Sequence, residues 1–228
     1  MALALINDSL FDYIAKNLNC DTNKLLLRDS KKDCGFSVEF AVTQIESRRK
    51  CKTKLSKYLV NQRFLFPTLL SAEQASHQIV ADYHAGLIGK NKRVLDMTAG
   101  LGIDSLSIAS KGNRLTSIEI DSLKSEIFRH NAKTLGLREI EVINQDSLSF
   151  LRENPDLLYD IIFADPARRA EHNKRLYSLI DCTPDIVENL DLIRSHANRL
   201  MIKASPMIDI TEAIRLLPET DEIFINNR

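Results

Sequence analysis

A chain of 228 residues, 44% hydrophobic and 27% charged, has the size and composition of one large soluble α/β domain with a small appendage. Lys/Arg and Asp/Glu balance at 31 each, which excludes a whole-molecule electrostatic case for a polyanionic partner. The halves differ: residues 1–90 hold 13 Lys/Arg against 9 Asp/Glu, net +4, and residues 91–228 hold 18 against 22, net −4. Four widely spaced cysteines (Cys20, Cys34, Cys51, Cys182) form no C-x-x-C pair, which argues against zinc and against a disulfide framework. That usage fits a reducing cytoplasm. The first residues lack a basic segment and a signal-length apolar run, and no stretch approaches a membrane span.

Residues 7–62 read as helical. Asp8 or Ser9 can cap a first helix with Leu10, Phe11, Ile14 and Leu18 on one stripe; Leu25–Leu27 mark a second. A longer pattern runs from Phe40 through Ile45 to Leu59. Inside it, residues 48–57 hold six basic residues and no acid. These are either a solvated helix face or a phosphate-contacting surface in which Arg48, Arg49 and Lys52 would meet a nucleic-acid backbone. Phe64-Leu65-Phe66-Pro67 reads as a linker, dividing an extension (1–66) from an α/β domain (67–228). Ser71 with Gln74 offers a capping box for a helix that ends near Gly86 or Gly89.

From Arg93 onward strand and helix patterns alternate. Strands are expected at 93–97, 114–120, 139–143, 159–164, 198–203 and 222–226, with helices at 104–111, 122–136, 146–153, 174–194 and 208–217. Five βα steps predict a doubly wound, mostly parallel, Rossmann-like sheet. On the usual plan for such a sheet one antiparallel edge strand is missing, so a longer polypeptide is expected.

The organising stretch is Arg93-Val94-Leu95-Asp96-Met97-Thr98-Ala99-Gly100-Leu101-Gly102, a strand running into an acid and a loop of small residues. Glycine at 100 and 102 lets the backbone close on a ligand. Asp96 would repel a pyrophosphate and attract an ammonium, so the site suits a cationic amino-acid nucleoside better than a dinucleotide. Three further acids stand at expected strand ends: Glu119, 23 residues after Asp96 and placed to accept ribose hydroxyls; Asp146, placed for an adenine amine; and Asp165. Each alone has a plainer reading as a helix cap or solvated loop residue. The five histidines lack ligand spacing, and no metal is expected.

This pattern resembles the class I S-adenosylmethionine-dependent methyltransferases over about residues 71–226. The resemblance implies that Asp96, Thr98, Gly100 and Gly102 cradle the methionine part of S-adenosylmethionine, Glu119 the ribose and Asp146 the adenine. Asp165-Pro166-Ala167-Arg168 is similar to the D-P-P-x motif of nucleic-acid base methyltransferases. This implies that Asp165 and Pro166 accept the hydrogens of a base amine, while Arg168 and Arg169 meet the base or a phosphate. Two positions depart from the motif: Ala167 replaces the second proline, and Arg168 the stacking aromatic. Lys203-Ala204-Ser205-Pro206 has no thiol, which excludes covalent C5 chemistry through that stretch. Residues 44–49, 54–56 and 67–76 are similar to bacterial methyltransferase-like proteins with a C-terminal THUMP-like domain, which implies RNA as partner and an RNA-binding piece after residue 228. A small-molecule methyltransferase and a catalytically silent RNA- or cofactor-binding module are the alternatives.

Overall fold

The computed structural model describes residues 6–168 and 178–225. Arg169, His172 and the start of the helix expected at 174–194 therefore lie outside the described residues.

Seven strands are described: β1 (Arg93–Asp96), β2 (Arg114–Ile118), β3 (Ile140–Ile143), β4 (Tyr159–Ala164), β5 (Ala167–Arg168), β6 (Cys182–Thr183) and β7 (Ala197–Ile202). Five form one parallel sheet in the order β3-β2-β1-β4-β7, and β5 and β6 pair antiparallel outside it. Parallel strands covered on both faces need near-continuous apolar sequence. β4 supplies it, with Tyr159, Ile161, Ile162, Phe163 and Ala164 all buried. The chain winds from β1 outward through β2 to β3, then returns to lay β4 on the other side of β1. This reversal opens a crevice at the carboxyl ends of β1 and β4, the usual ligand position in such sheets.

The helices that pack on the sheet are α6 (Gln78–Ile88), α7 (Ile103–Ala109), α8 (Ser122–Thr134), α9 (Ser147–Glu153) and α10 (Leu190–Arg194), and α11 (Ile210–Leu216) follows β7 without burying a residue. Before them come α1 (Asp8–Asn17), α2 (Thr22–Asp29), α3 (Val38–Lys50), α4 (Ser56–Leu59) and α5 (Leu69–Gln74). Two caps differ from the sequence reading. Asn7 caps α1 through its contact with Leu10 N, and Thr68 caps α5 through Ser71 N, which puts Ser71 inside the helix. The long helix expected from Phe40 to Leu59 breaks after Lys50. There the Cys51 thiol and the Lys54 ammonium donate to backbone carbonyls of Ala72 and Glu73, tertiary contacts that local periodicity does not record. The expected 174–194 helix holds, among the described residues, a 3-10 turn (Leu179–Asp181), β6 and the short α10. Residues 221–225 form no strand, and 226 lies outside the described residues.

The segment read as a linker is core. Phe64, Leu65 and Phe66 are fully buried, and Phe64 and Phe66 pack in one cluster with Tyr58, Leu101, Ile103, Leu106 and Phe128. Burying three such side chains contributes roughly 1.5–3 kcal/mol each. Their backbone polar groups then need partners away from water. Two side-chain amides supply them. Gln44 accepts from Phe66 N and donates to Phe66 O, both at 2.8 Å, and Asn131 does the same for Leu65 N and O, also at 2.8 Å. Asn131→Ala should therefore leave a buried N–H and a buried carbonyl unpaired and cost about 3 kcal/mol in urea denaturation. A loss below about 0.5 kcal/mol would show that water replaces the amide.

Candidate functional site

The loop after β1 takes its shape from Asp96. This carboxylate is 1% exposed, and both oxygens are engaged: Oδ1 accepts from Thr98 N (3.0 Å), Oδ2 from the Ser105 hydroxyl (2.6 Å). Ser105 also bonds Ser117 on β2 at 2.9 Å. Asp96 thus lies beneath the loop and braces it, a position that does not suit the direct ammonium contact its sequence context suggests. Burial pushes its pKa up to about 7, only partly offset by the Ser105 and Thr98 hydrogen bonds.

The sign of that shift is testable. In the unfolded chain the group titrates near about 4, so between there and pH 7 the folded chain holds a proton the unfolded chain lacks. Its contribution to stability is complete at low pH and falls away as pH rises through the folded value, by roughly 4 kcal/mol in all. Asp96→Asn keeps an acceptor for Thr98 N and gives Ser105 a donor. The variant should gain on the wild type as pH goes from 4 to 8 in denaturant titrations. Parallel stability curves would contradict this.

Gly100 and Gly102 both have left-handed backbones, φ 57° and 84°. The demand at Gly102 comes from packing: a Cβ there would sit 2.3 Å from the buried Phe128 ring. The sequence reading assigned this glycine to ligand approach, but the core helix α8 requires it. Gly100 N donates to Glu119 Oε2 (2.7 Å), and Asp121 N donates to Glu119 Oε1 (2.8 Å). Glu119, 8% exposed beyond the end of β2, therefore ties the glycine loop to the neighbouring strand tip. The Asn144 amide fastens the next tip by donating to the carbonyls of Glu119 (2.7 Å) and Ile120 (2.9 Å), while the Ile120 side chain stands exposed. Asp146 caps α9 by accepting from Ser149 N at 2.8 Å through one oxygen.

Asp165 follows β4. Its backbone N–H donates to the Thr98 hydroxyl (2.7 Å), which locks the fourth strand end to the loop after the first. Its Oδ2 accepts from Lys203 Nζ at 2.6 Å. Burial raises the Asp165 pKa, and Lys203 counters that only in part. Pro166 is half-buried, and Arg168 stands exposed on the β5–β6 ribbon, which the sequence reading did not anticipate. Of the expected site residues, hydrogen bonds join Thr98 to Asp96 and Asp165, and Gly100 to Glu119, around the crevice, while Gly102 is fixed by its packing on Phe128.

The basic run does not join them. Arg48 is buried, and its guanidinium donates to Gln62 O (2.5 Å) and Phe64 O (2.7 Å). Burial brings its pKa down to about 10. Arg49 donates to the carbonyls of Leu18 (2.6 Å) and Cys20, Lys50 pairs with Glu73, and Lys57 with Asp82. Arg48 and Arg49 are thus spent on internal carbonyls, correcting their reading as a phosphate-contacting surface. Lys52 is exposed. A donor in sequence is counted as free until the carbonyls it satisfies are known.

Sequence reasoning missed Lys203, Asp104, His84 and Ser76. Lys203 Nζ reaches Ser76 Oγ (2.6 Å) and Asp104 Oδ2 (3.4 Å) as well as Asp165, and His84 Nδ1 meets Asp104 Oδ1 at 2.8 Å. The only available signal was a basic residue at the end of an expected strand. Among the described residues no cluster of His, Cys, Asp or Glu could hold a metal ion, and no helix is long and apolar enough to cross a membrane.

Known proteins resemble this chain in fold or in sequence. A Porphyromonas gingivalis W83 protein of known crystal structure, described as a methyltransferase, superposes with a TM-score of 0.79 at 26% identity, covering 91% of this chain and 51% of its own. An uncharacterized RNA methyltransferase of Mycoplasma mobile is 24% identical over 228 residues, 97% of this chain and 61% of its own length. An uncharacterized S-adenosylmethionine-dependent methyltransferase of Mycobacterium tuberculosis is 28% identical over 172 residues, 74% of this chain and 45% of its own. The chain thus spans less than two thirds of the length of each of these relatives. The sequence pattern of one family matches residues 50–207, which hold the whole glycine loop, Glu119, Asp146, Asp165 and Lys203, and the chain belongs to that family, conserved hypothetical protein 95.

Proposed function

We propose that this chain is the S-adenosylmethionine-binding part of an RNA methyltransferase that acts on a base amine. The observation that carries the reading is the pair of links at the crevice: the loop after β1 is joined to Glu119 through Gly100 N and to Asp165 through Thr98 Oγ1, at the point where strand order reverses. The donor set fits the cofactor. Each Glu119 oxygen accepts one backbone N–H and keeps a second lone pair for a ribose hydroxyl, and Asp146 uses one oxygen in its cap. When bound, S-adenosylmethionine supplies an activated methyl group, so the chain's task is alignment and exclusion of water.

In this reading Asp165 and the Pro166 carbonyl accept the hydrogens of the acceptor amine, and Arg168 with Arg169 meets the base or its phosphate. Asp96 acts through the loop it braces. RNA as substrate is supported by the naming of the Mycoplasma mobile relative. With Arg48 and Arg49 donating to carbonyls of the chain, the proposed RNA contacts are Lys52, Arg168 and Arg169. A THUMP-like module in the longer protein would supply most of the affinity. Residues 6–66 then form a brace built into the core of the catalytic part. The four free cysteines suit a reducing cytoplasm.

Equilibrium dialysis with labelled S-adenosylmethionine, followed by methyl transfer into total RNA and into a metabolite pool, tests this. Binding and transfer to RNA are expected. Transfer to metabolites alone would replace RNA by a small-molecule acceptor, and absence of cofactor binding would remove the reading.

A further inference from the structure

Lys203 follows β7, and its backbone N–H donates to Ala164 O at 2.8 Å, continuing the β4–β7 ladder by one step. This register sets Lys203 beside Asp165 on the adjacent strand end. The side chain is 21% exposed, and its ammonium has three acceptors for three protons: Asp165 Oδ2, Ser76 Oγ and the more distant Asp104 Oδ2. The acceptors are themselves held. The Ser76 hydroxyl donates to Asp104 Oδ2, and His84 bonds Asp104 Oδ1. Three pieces of the chain therefore meet the nitrogen carried by the end of β7: the turn between α5 and α6, α7 and the end of β4, with α6 one bond further out through His84.

Stability alone does not account for such a cluster, since a partly buried ion pair returns little net energy compared with well-packed apolar side chains. Its chemistry is asymmetric. Asp165 Oδ2 is anchored, and Oδ1 accepts no hydrogen bond from any described residue. Burial alone would lower the Lys203 pKa, but Asp104 and Asp165 outweigh it and raise it, so the ammonium stays charged. For Asp104, burial is likewise outweighed by the His84 bond, Lys203 and Ser76, and its pKa falls.

We infer that Lys203 is a positioning residue of the acceptor site: it clamps Asp165 by Oδ2, with Asp104, Ser76 and His84 as its mount, and leaves Oδ1 to take a hydrogen from the acceptor amine. The inference rests on the proposed role of Asp165 and deepens it. Among the described residues, the charged and titratable groups around Asp165 are Lys203 from the end of β7, Asp104 from α7, His84 from α6 and Asp96 from β1.

Lys203→Met and Lys203→Arg test it, with Ser76→Ala as a milder variant should the methionine variant fail to fold. In Lys203→Met the kcat for methyl transfer should fall roughly 100-fold while the Kd for S-adenosylmethionine stays within about twofold. The acid limb of the pH profile should rise by about one unit or more, because an opposite charge no longer faces Asp165. Lys203→Arg should recover part of both, and Ser76→Ala should shift the limb in the same direction by less. Carbon-13 NMR titration of the Asp165 carboxyl in the cofactor-free chain reads the same clamp without turnover. An unmoved Asp165 midpoint in Lys203→Met, or loss of cofactor binding in step with transfer, would overturn the inference. A wild-type chain that transfers no methyl group, yet shows the Asp165 midpoint rising in Lys203→Met, would instead defeat the acceptor reading and leave the clamp standing.

Discussion

Gly102→Ala is expected to lower the melting temperature by roughly 10 °C, the result of about 4 kcal/mol lost at one position. Two costs add. The residue has φ 84°, a left-handed backbone that costs an L side chain about 1–2 kcal/mol. The new methyl would also meet Phe128 Cε2 at 2.3 Å and Cδ2 at 2.4 Å. Phe128 is fully buried among Tyr58, Phe64, Leu101 and Leu106, so the ring has no open space to turn into. Relief would require moving α8 or the loop, and moving the loop breaks the bond from Gly100 to Glu119. The variant should therefore lose affinity for S-adenosylmethionine along with stability. Thermal unfolding and dialysis on the same preparation check this. A stable variant with unchanged affinity would show that the loop and α8 separate easily.

Asp165→Asn is expected to reduce methyl transfer about 100- to 1,000-fold while leaving cofactor affinity nearly unchanged. The amide keeps one acceptor for Lys203 and loses the negative charge that favours an amine's hydrogens. Its backbone N–H bond to Thr98 Oγ1 (2.7 Å) is retained, so the loop after β1 should keep its shape. Single-turnover transfer and calorimetric titration with S-adenosylmethionine separate the two effects. A parallel loss of both would place Asp165 in the cofactor site. Unimpaired transfer would take it out of the chemistry.

The fold was legible because its signals are local. Val94-Leu95, Ile161-Ile162-Phe163 and their neighbours are apolar runs that suit strands covered on both faces, and the intervening helical patterns carry their own caps, such as Asp121 and Asp146. The acids at the strand ends were legible for the same reason, since an acid directly after a strand in this topology must come to the carboxyl edge. Phe64-Leu65-Phe66 was misread because hydrophobic residues beside a proline signal a boundary equally well whether they are covered or not. Only the distant amides of Gln44 and Asn131 make the buried backbone tolerable there. The basic run was misread on similar grounds: Arg48 finds carbonyls at Gln62 and Phe64, and Arg49 at Leu18 and Cys20.

By itself the sequence determined the five strands of the parallel sheet, the place of the glycine loop and the set of carboxylates at the sheet edge, because periodicity and strand-end position are properties of neighbouring residues. The tertiary structure alone decided which charges are spent and which remain. Asp96 turned out to be sealed beneath the loop, Arg48 sealed within the extension, and Lys203 set against Asp165 across 38 residues of chain. A charged group's role depends on which partners reach it through space and on how far water is excluded. Neither is encoded at short range.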